Sequence, residues 1–430
     1  MKIDFTPLKA GASLMLLAGA VQASDWPAYR GPTHDGLSSD RISTTWPATG
    51  PKVVWKVPSS GGFSSFAVAK GECFDLELRE VDGADQEALV ARDAATGKEL
   101  WVKGIGTVKI NDGGQSGVKG NDGGDGPRSS PATDGGKVYT FSAKLVLQCW
   151  DAKTGAEIWK RDLLKEHAGG NISWMNAQSP VIEGNLVYVA GGGAGQSILA
   201  LDKKTGEIVW KAFDEKITHA TCVPATILGQ RQIIFFLQSG LLAVEPASGK
   251  ELWRYKFDYR VSTASSPVVA GDIVYCSAGY GVGAGAVKVA KAGDAWTATE
   301  IYRIKGDKPL ANHWSTPVVK DGYLYGMFQF KEYGSGPVKC VEIATGKVMW
   351  EQAGFGPGQV ILSGNNVVAL ADDGSLVVID TKTDAYHELA RASVVTGKCW
   401  TTPALANGLV FVRSTKEAAC LDLSSKRASK

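Results

Sequence analysis

Aromatic and polar side chains that could bind a flat ligand stand just before a Ser/Thr-Pro pair that recurs along the sequence. Trp314 and Trp400 lie three residues before such a proline, and Arg128 holds the same position in another copy. An indole offers a flat apolar face and a guanidinium offers charged N–H donors, so this recurrent position indicates a binding surface where the copies meet. The polar neighbours in the candidate set are Asn176, Gln178, His219, Asn312 and His313.

A glycine-rich insertion, 111–127, leads directly into Arg128. Its asparagine and aspartate oxygens suit Ca²⁺, but the closing bidentate glutamate of a calcium loop is absent. We therefore interpret it as a solvated insertion that could cover the binding surface. The sequence has no signature of a nucleophile with its base, no glycine-rich phosphate loop and no zinc-binding cysteine pair. We assign no catalytic residue and no metal ligand.

Charge and composition exclude two classes of partner and favour one fold class. Lys and Arg number 46 against 44 Asp and Glu, so the net charge of +2 gives no reason to expect nucleic acid or an anionic membrane as the main partner. Glycine is abundant at 52 residues and charged residues are only 21%, which disfavours long surface helices. We expect an all-β chain that is rich in turns.

A repeat supplies the elements that would hold the candidate residues. The pattern acidic-x-x-Thr/Ser-Gly-x-x-x-Trp predicts a tight turn, because the carboxylate accepts backbone N–H bonds and the glycine takes positive φ. Val289–Trp296 and Asp380–Asp384 are degraded copies. A Ser/Thr-Pro segment with its own turn precedes the pattern in most units and predicts a hairpin. The tryptophans of the intact copies, which we interpret as structural, are Trp101, Trp159, Trp210, Trp253 and Trp350.

Each unit therefore contains four antiparallel strands, and eight units follow one another. Most begin 43 to 50 residues apart, which is the length of a propeller blade. The last unit lacks its outer strand, which Val53–Val57 can supply. We predict an eight-bladed β-propeller closed by this N-terminal strand, rather than seven blades or a stack of sandwiches. The first strands begin near Ser65, Ser130, Ser179, Val223, Ser266, Thr316, Gln359 and Thr402.

The amino terminus predicts export. Lys2 and Lys9 precede an apolar run, Ala10–Ala20, that is too short to span a bilayer and ends near a signal-peptidase site at Ala23. We expect a periplasmic or secreted soluble protein rather than a membrane-anchored one. The expected bounds are 1–23 for the signal peptide, 24–52 for an N-terminal extension, 53–425 for the propeller and 426–430 for a tail.

Seven cysteines leave at least one thiol unpaired in an oxidising compartment. Cys149, Cys340 and Cys420 stand two residues before the acidic residue of the repeat, where other copies have Ala or Val. A position that accepts these three small residues is a buried strand position, so we predict structural free thiols there.

These patterns resemble the pyrroloquinoline-quinone-like β-propeller repeat proteins, from Trp26 to Asp422. In that family the Gly-x-x-x-Trp segment is a tryptophan-docking motif that joins neighbouring blades. Asp25-Trp-Pro-Ala-Tyr-Arg-Gly-Pro32 and Gly124-Asp-Gly-Pro-Arg-Ser-Ser-Pro131 are similar to exported members of planctomycete and verrucomicrobial type. Related groups are the BamB-like scaffold propellers and the quinoprotein alcohol dehydrogenases, so the fold carries both binding modules and enzymes.

The resemblance implies two alternative functions. The first is a non-catalytic, monomeric binding or assembly module that holds a protein partner or a small flat ligand at the channel mouth. The second is a dehydrogenase that oxidises an alcohol or sugar with pyrroloquinoline quinone (PQQ) and Ca²⁺. In the second case Trp314 or Trp400 would stack on the quinone and Asn312 would lie near Ca²⁺. The chain departs from both groups, since it lacks adjacent cysteines and a lipid-bearing cysteine after the apolar run.

Overall fold

The computed structural model describes residues 24–107, 126–257, 259, 263–328 and 336–425. These residues form eight four-stranded antiparallel blades of one β-propeller, so the predicted fold class is confirmed. Three segments lie outside the described residues: the predicted signal peptide, residues 108–125 with most of the glycine-rich insertion, and the predicted tail. Within the described ranges, no helix is both long enough and apolar enough to cross a membrane.

Two strands precede the first blade: β1 (Leu37–Ser38) and β2 (Lys52–Pro58). Blade 1 contains β3 (Ala67–Ala69), β4 (Glu72–Val81), β5 (Ala84–Asp93) and β6 (Glu99–Thr107). Blade 2 contains β7 (Ala132–Asp134), β8 (Lys137–Phe141), β9 (Val146–Asp151) and β10 (Glu157–Asp162), and the short helix α1 (Leu163–Glu166) follows it. Blade 3 contains β11 (Val181–Glu183), β12 (Leu186–Ala190), β13 (Ile198–Asp202) and β14 (Ile208–Ala212).

Blade 4 contains β15 (Val223–Ile227), β16 (Gln230–Leu237), β17 (Gly240–Val244) and β18 (Glu251–Lys256). Blade 5 contains β19 (Val268–Ala270), β20 (Ile273–Ala278), β21 (Gly283–Ala292) and β22 (Ala295–Ile304), and α2 (Asp307–Leu310) follows it. Blade 6 contains β23 (Val318–Lys320), β24 (Tyr323–Met327), β25 (Val338–Glu342) and β26 (Val348–Gln352). Blade 7 contains β27 (Gln359–Ser363), β28 (Asn366–Leu370), β29 (Ser375–Asp380) and β30 (Glu388–Ser393), and blade 8 contains β31 (Ala404–Ala406), β32 (Leu409–Arg413) and β33 (Glu417–Asp422).

The N-terminal strand closes the ring as predicted. Strand β2 pairs antiparallel with β33 and completes the last blade, with Trp55 opposite Cys420. First strands of neighbouring blades contact one another, including those of blades 8 and 1, so they line the centre of the ring. The outer edge of β33 is thereby paired, which leaves no open end between the last blade and the first.

Indole side chains join the outer parts of neighbouring blades. In four of these joints the indole lies on the turn glycine of the next blade, and its N–H donates to a carbonyl of that turn. Trp350 makes the same N–H bond to a turn that has no glycine. The space for the ring exists because the glycine lacks a Cβ, and a Cβ on Gly206 would lie only 2.6 Å from the ring of Trp159. The N–H bonds run from Trp55 to Ala94 O at 2.9 Å, Trp101 to Ala152 O at 3.0 Å, Trp159 to Lys203 O at 3.2 Å, Trp210 to Pro246 O at 2.8 Å and Trp350 to Lys382 O at 2.9 Å.

Blade 5 departs from the repeat and corrects one interpretation. Trp296, which we assigned to a degraded copy of the turn motif, lies near the tip of a hairpin with ten residues in each strand and pairs with Lys291. Because this hairpin continues beyond the usual turn, Tyr302 takes the position that tryptophan holds in other blades, opposite Ala286. The indole N–H of Trp253 consequently bonds within its own blade, to Gln232 Oε1 at 2.7 Å.

Hydroxyl groups join the inner parts of neighbouring blades. At five junctions the backbone N–H of the Ser or Thr that begins an inner strand donates to a hydroxyl of the following blade, and the bonds lie in the buried centre of the ring. The donor and acceptor pairs are Thr402 N–H to Ser65 Oγ at 2.8 Å, Ser65 N–H to Ser130 Oγ at 2.8 Å, Ser130 N–H to Ser179 Oγ at 2.9 Å, Ser179 N–H to Thr221 Oγ1 at 3.0 Å and Ser266 N–H to Thr316 Oγ1 at 3.0 Å. The recurrent Ser/Thr is therefore a joint between blades.

A buried arginine reinforces the junction between blades 8 and 1. Arg413 on β32 is fully buried and donates to the carbonyls of Ser60 at 2.7 Å and Ser64 at 3.3 Å, both in blade 1. Its guanidinium also lies 3.4 Å from the carboxylate of Asp75, which Arg92 contacts at 2.7 Å. Buried charges are tolerated when they are paired and hydrogen-bonded, as these are.

Residues 24–42 form a strap across the end of the channel where the inner hairpins turn. Asp25 accepts a bond from the backbone N–H of Lys70 in blade 1, and Asp40 accepts one from Gly408 in blade 8. Between these points β1 adds to β27 of blade 7 as a parallel strand. The strap therefore covers the end of the ring opposite the starts of the inner strands.

Arg30 fixes the centre of this strap. It is buried and donates to the carbonyls of Thr316 and Pro317 in blade 6, each at 2.9 Å. Gly36 has positive φ, and a Cβ there would lie 2.7 Å from the Arg30 guanidinium. These contacts explain why the strap has glycine directly after Arg30 and directly after Asp35.

Substituting the turn glycine tests the contact between indole and turn. Gly206→Ala should lower the free energy of unfolding by about 1 to 3 kcal/mol more than Gly184→Ala, measured by urea denaturation. Both glycines have positive φ, so both variants bear the cost of a left-handed alanine. Only at Gly206 does the new methyl meet the ring of Trp159, since no atom lies within 4 Å of a Cβ on Gly184. Equal losses would contradict the contact.

Substituting Arg413 tests the closing junction. Arg413→Met should lower the free energy of unfolding by about 3 to 5 kcal/mol, because it strands buried carbonyls and a buried carboxylate. Arg254→Met is the control, since Arg254 forms half-exposed ion pairs with Glu215 and Glu251, and should cost under about 1 kcal/mol. The two losses of unfolding free energy can be compared by urea denaturation. Similar values would show that Arg413 does not stabilise the junction.

Candidate ligand-binding mouth of the channel

Eight equivalent positions surround the end of the channel at which the inner strands begin. Each lies three residues before the proline that stands at the start of an inner strand. Where a blade lacks this proline, the count starts from the residue that takes its place in the strand register. We call these the mouth positions. In chain order they hold Phe63, Arg128, Ala177, His219, Ala264, Trp314, Pro357 and Trp400, with Cys222 replacing the proline in blade 4.

Three aromatic mouth residues form one stack over blades 6, 8 and 1. Trp314 and Trp400 are parallel to within 28°, with ring centroids 5.0 Å apart, and Phe63 continues the stack at 5.1 Å from Trp400. His313 meets Trp314 edge-on at 4.8 Å. The two indoles span blade 7, whose own mouth residue is Pro357, so this half of the mouth is filled by rings.

A glutamine below the stack fixes both tryptophans. Gln359 begins β27, at the place where most blades have Ser or Thr, and its longer side chain reaches both neighbours. Its Nε2 donates to the backbone carbonyl of Trp314 at 2.6 Å and to that of Trp400 at 3.4 Å. The two indoles are thus held by the backbone of their own blades and by an amide from the blade between them.

The sequence analysis missed Phe63 and Gln359. Phe63 stands three residues before Phe66, which replaces the proline in blade 1, so alignment to that replacement would have found it. Gln359 was visible only as the start of a strand, because glutamine there has no counterpart in the other blades. The stack also changes the expected role of the tryptophans, since Trp400 packs against the rings of Trp314 and Phe63.

Three of the predicted ligand residues are buried, with their side chains bonded within the protein. Asn176 Oδ1 accepts from the backbone N–H of Gln178 at 3.0 Å, and Gln178 Nε2 donates to the carbonyl of Ala190 at 3.2 Å. Asn312 Nδ2 donates to the carbonyl of Met327 at 2.7 Å, while its Oδ1 accepts from Tyr275 at 2.7 Å. These amides fix the loops of the mouth.

The histidines lie in the walls of the mouth. Burial, with the Arg128 guanidinium nearby, lowers the pKa of His219 to about 4, so its imidazole is neutral at pH 7. Backbone groups of Ser173 and Met175 bond to this ring. His313 accepts at Nδ1 from the backbone N–H of Gly279 at 3.4 Å. Arg128 lies with its guanidinium carbon 5.9 Å from the ring centroid of Phe63 and is the charged member of the eight mouth positions.

The other half of the mouth has two small side chains and a buried histidine. Ala177 and Ala264 occupy the mouth positions of blades 3 and 5, opposite the aromatic stack, and His219 occupies that of blade 4. We call this the open half. Arg128 of blade 2 borders it on one side, and Tyr280 borders it on the other through an edge-on contact of 5.0 Å with His313.

A buried glutamate lies beside Arg128. Glu87 on β5 accepts at Oε2 from the backbone N–H of Ala143 at 2.8 Å, while its Oε1 has no hydrogen-bond partner. Burial raises the pKa of Glu87 to about 7, against the opposing effects of the Ala143 N–H, Arg128 and Lys144. A carboxyl group that titrates near neutral pH can accept or release a proton under physiological conditions.

The residues of the mouth do not fit the quinone site that the resemblance implies. Asn312, the expected Ca²⁺ neighbour, has both amide groups bonded, and Trp400 already packs against the rings of Trp314 and Phe63. Within the described ranges, no group of three or more His, Cys, Asp or Glu could hold a metal ion. The seven cysteines are buried free thiols, as predicted for Cys149, Cys340 and Cys420, so none supplies a disulfide face.

The raised pKa of Glu87 predicts a specific pH dependence. Because the folded value of about 7 exceeds the ordinary value of 4.5, the stabilising contribution is complete below pH 4.5 and is lost as pH rises through 7. Glu87→Gln should therefore match the wild type near pH 4 and exceed it in free energy of unfolding by about 3 kcal/mol at pH 8. Urea denaturation across this range measures the difference. The exposed Glu80→Gln should show no such trend, and a constant difference for Glu87→Gln would contradict the shifted titration.

Proteins similar in sequence to this chain include outer membrane assembly factors and an enzyme. The family model described as outer membrane protein assembly factor BamB matches residues 84–327 and 334–429. BamB of Yersinia pestis is 22% identical over 296 residues, which are 66% of this chain and 70% of that protein. Tetrathionate hydrolase of Acidithiobacillus ferrooxidans is 30% identical over 131 residues, and the match spans 30% of this chain and only a quarter of the length of that protein.

Solved structures with the same fold include a dehydrogenase and a BamB protein. Quinohemoprotein alcohol dehydrogenase from Comamonas testosteroni superposes with a TM-score of 0.65 at 14% identity, covering 95% of this chain and 82% of that one. BamB from Moraxella catarrhalis superposes with a TM-score of 0.57 at 13% identity, covering 87% and 100%. Likeness at such low identity shows the fold alone. The sequence match covers most of the propeller, and the chain therefore belongs to the family of outer membrane protein assembly factor BamB, the PQQ-like β-propellers.

Proposed function

We propose that this protein is an exported, non-catalytic binding or assembly module that holds a ligand or protein partner at the open half of the channel mouth. The asymmetry of the mouth carries this proposal: stacked rings fill one half, whereas the other half has the small side chains of Ala177 and Ala264 on either side of His219. The strap covers the opposite end of the channel, which leaves the mouth as the end where a ligand enters. The apolar run before Ala23 supports export.

The members of the BamB family are named as assembly factors, and that name supports a protein partner for this chain. A scaffold needs a rigid surface with a defined opening. The two sets of contacts between blades, one of hydroxyl groups and one of indoles, provide that rigidity. Side chains at the mouth can therefore differ from one relative to another without loss of the fold.

A quinone-dependent dehydrogenase is the second candidate, and one observation favours it. Glu87 is a buried carboxyl group near Arg128 with a pKa of about 7, as a general base requires. PQQ would supply the redox chemistry of such an enzyme. The bonded amide of Asn312 and the packing of Trp400 against Trp314 and Phe63 weigh against this candidate.

The two candidates differ in a direct experiment. A photo-crosslinking residue placed at Ala177 or Ala264 should give a discrete covalent adduct with a partner in the host cell. The same residue at the exposed Leu228, in a hairpin turn at the strap end, should give none. The purified protein, supplied with PQQ and Ca²⁺, should neither bind the quinone saturably nor reduce a dye with short alcohols or sugars. If the protein does reduce the dye, and if Glu87→Gln abolishes this turnover, the dehydrogenase replaces the scaffold as the proposed function.

A further inference from the structure

Arg30 brings a positive charge into the buried end of the channel beneath the strap. The residue is only 3% exposed, and its guanidinium donates to the carbonyls of Asp35 at 2.7 Å and of Thr316 and Pro317 at 2.9 Å. A guanidinium has five N–H donors, so one on Nε and one on Nη1 have no acceptor in the described part of the chain.

The described residues do not neutralise this charge by an ion pair. Asp35 is the carboxylate that acts on Arg30, and it does so from a distance, because its own oxygen accepts from Thr33 Oγ1 and from the backbone N–H of Leu37. Burial lowers the pKa of the Arg30 guanidinium, with Asp35 acting in the opposite direction, but a guanidinium stays protonated in proteins. A buried cation without a paired anion is costly, so a negative group is expected close to it.

Three hydroxyl groups line a small cavity beside Arg30. The cavity lies between the strap and blades 3, 4 and 5, and its walls include Ser179, Thr221 and Ser266. Ser179 Oγ and Thr221 Oγ1 each accept a backbone N–H at a joint between blades, which leaves each of them an O–H that donates to no described acceptor. Ser266 Oγ is buried and has no hydrogen-bond partner within the described ranges. O–H donors of three neighbouring blades therefore stand around one cavity that also meets a buried cation.

The size of this cavity limits its occupant. It has about 10 Å³ of space for the centre of a water-sized particle, which is room for about one such particle. A monatomic anion such as chloride is only slightly larger than water, whereas sulfate and phosphate are too large. Water could accept the O–H bonds but would bring no charge opposite Arg30, and chloride does both. A second cavity of about 430 Å³ shares Arg30, His34 and Val223 with the first, so a single ion can exchange with solvent beside the strap.

An anion in this position also completes the attachment of the strap. Besides its bonds to blades 1, 6, 7 and 8, the strap reaches blade 2 through the carbonyl of Pro27, which accepts from the backbone N–H of Thr133 at 2.7 Å. It reaches blade 3 through the ring of His34, which bonds to the backbone of Ile182. An ion that contacts Thr221 and Ser266 joins the strap to blades 4 and 5 as well.

We propose that the buried end of the channel is a halide site, in which a chloride ion binds between the guanidinium of Arg30 and the hydroxyls of Ser179, Thr221 and Ser266. The site lies at the opposite end of the channel from the mouth and does not depend on the proposed binding function. The ion accepts the hydroxyl bonds, neutralises the buried guanidinium and stabilises the folded chain as the chloride concentration rises.

Chloride dependence of stability tests the site. Replacing sodium gluconate with sodium chloride at constant ionic strength should raise the urea midpoint of the wild-type protein, because chloride binds the folded state alone. Ser266→Ala should raise the chloride concentration needed for this effect by about tenfold or more, since it removes a donor to a charged acceptor. Ser265→Ala is the matched control and should keep the wild-type dependence. The hydroxyl of Ser265 is also buried without a described partner, at the start of the same strand, but the cavity walls include Ser266 and not Ser265.

Crystals grown in sodium bromide locate the ion. Bromide should give an anomalous-scattering peak within hydrogen-bond distance of Arg30 and Ser266 in the wild type, and a weaker peak or none in Ser266→Ala. A wild-type cavity that holds only water, equal chloride dependence in Ser266→Ala and the wild type, or equal losses in Ser265→Ala and Ser266→Ala would each overturn the inference. Crosslinks from Ala177 and Ala264 test the mouth separately, so the proposed binding function stands or fails independently of the halide site.

Discussion

The whole fold depends on contacts between blades, because each four-stranded sheet is too small to bury its own faces. Two kinds of contact provide them. Near the axis, a backbone N–H of one blade donates to a hydroxyl of the next, as from Ser65 to Ser130. Near the rim, an indole lies on a glycine that has no side chain, as Trp159 does on Gly206. Each contact costs little space and uses a local motif, so repetition of the motif closes the ring.

Departures from the repeat are concentrated where the ring carries other features. Blade 5 has Tyr302 in place of a tryptophan and a longer outer hairpin. Blade 7 has Pro357 at the mouth and Gln359 below it, which lets Trp314 and Trp400 stack across that blade. The regular blades form the wall of the channel, and the irregular blades shape its mouth.

Burial gives the polar groups around the mouth different roles. The amides of Asn176 and Asn312 bond to nearby groups and hold the loops in place. Burial keeps His219 neutral, so it can bond to nearby backbone groups without adding charge. Glu87 is buried without a partner for one oxygen, which raises its pKa to about 7 beside Arg128. The mouth therefore combines a rigid frame with one group that titrates near neutral pH.

The sequence alone determined the eight blades, their four strands, the closing strand around Trp55 and the burial of Cys149, Cys340 and Cys420, because turns and strand alternation are local properties. It also placed Trp314 and Trp400 at one end of the channel. Only the tertiary structure decided that these indoles stack on each other, that Phe63 joins them and that Asn312 is fully bonded. Such outcomes depend on side chains from different blades, whose distances are set by packing around the whole ring rather than by spacing along the chain.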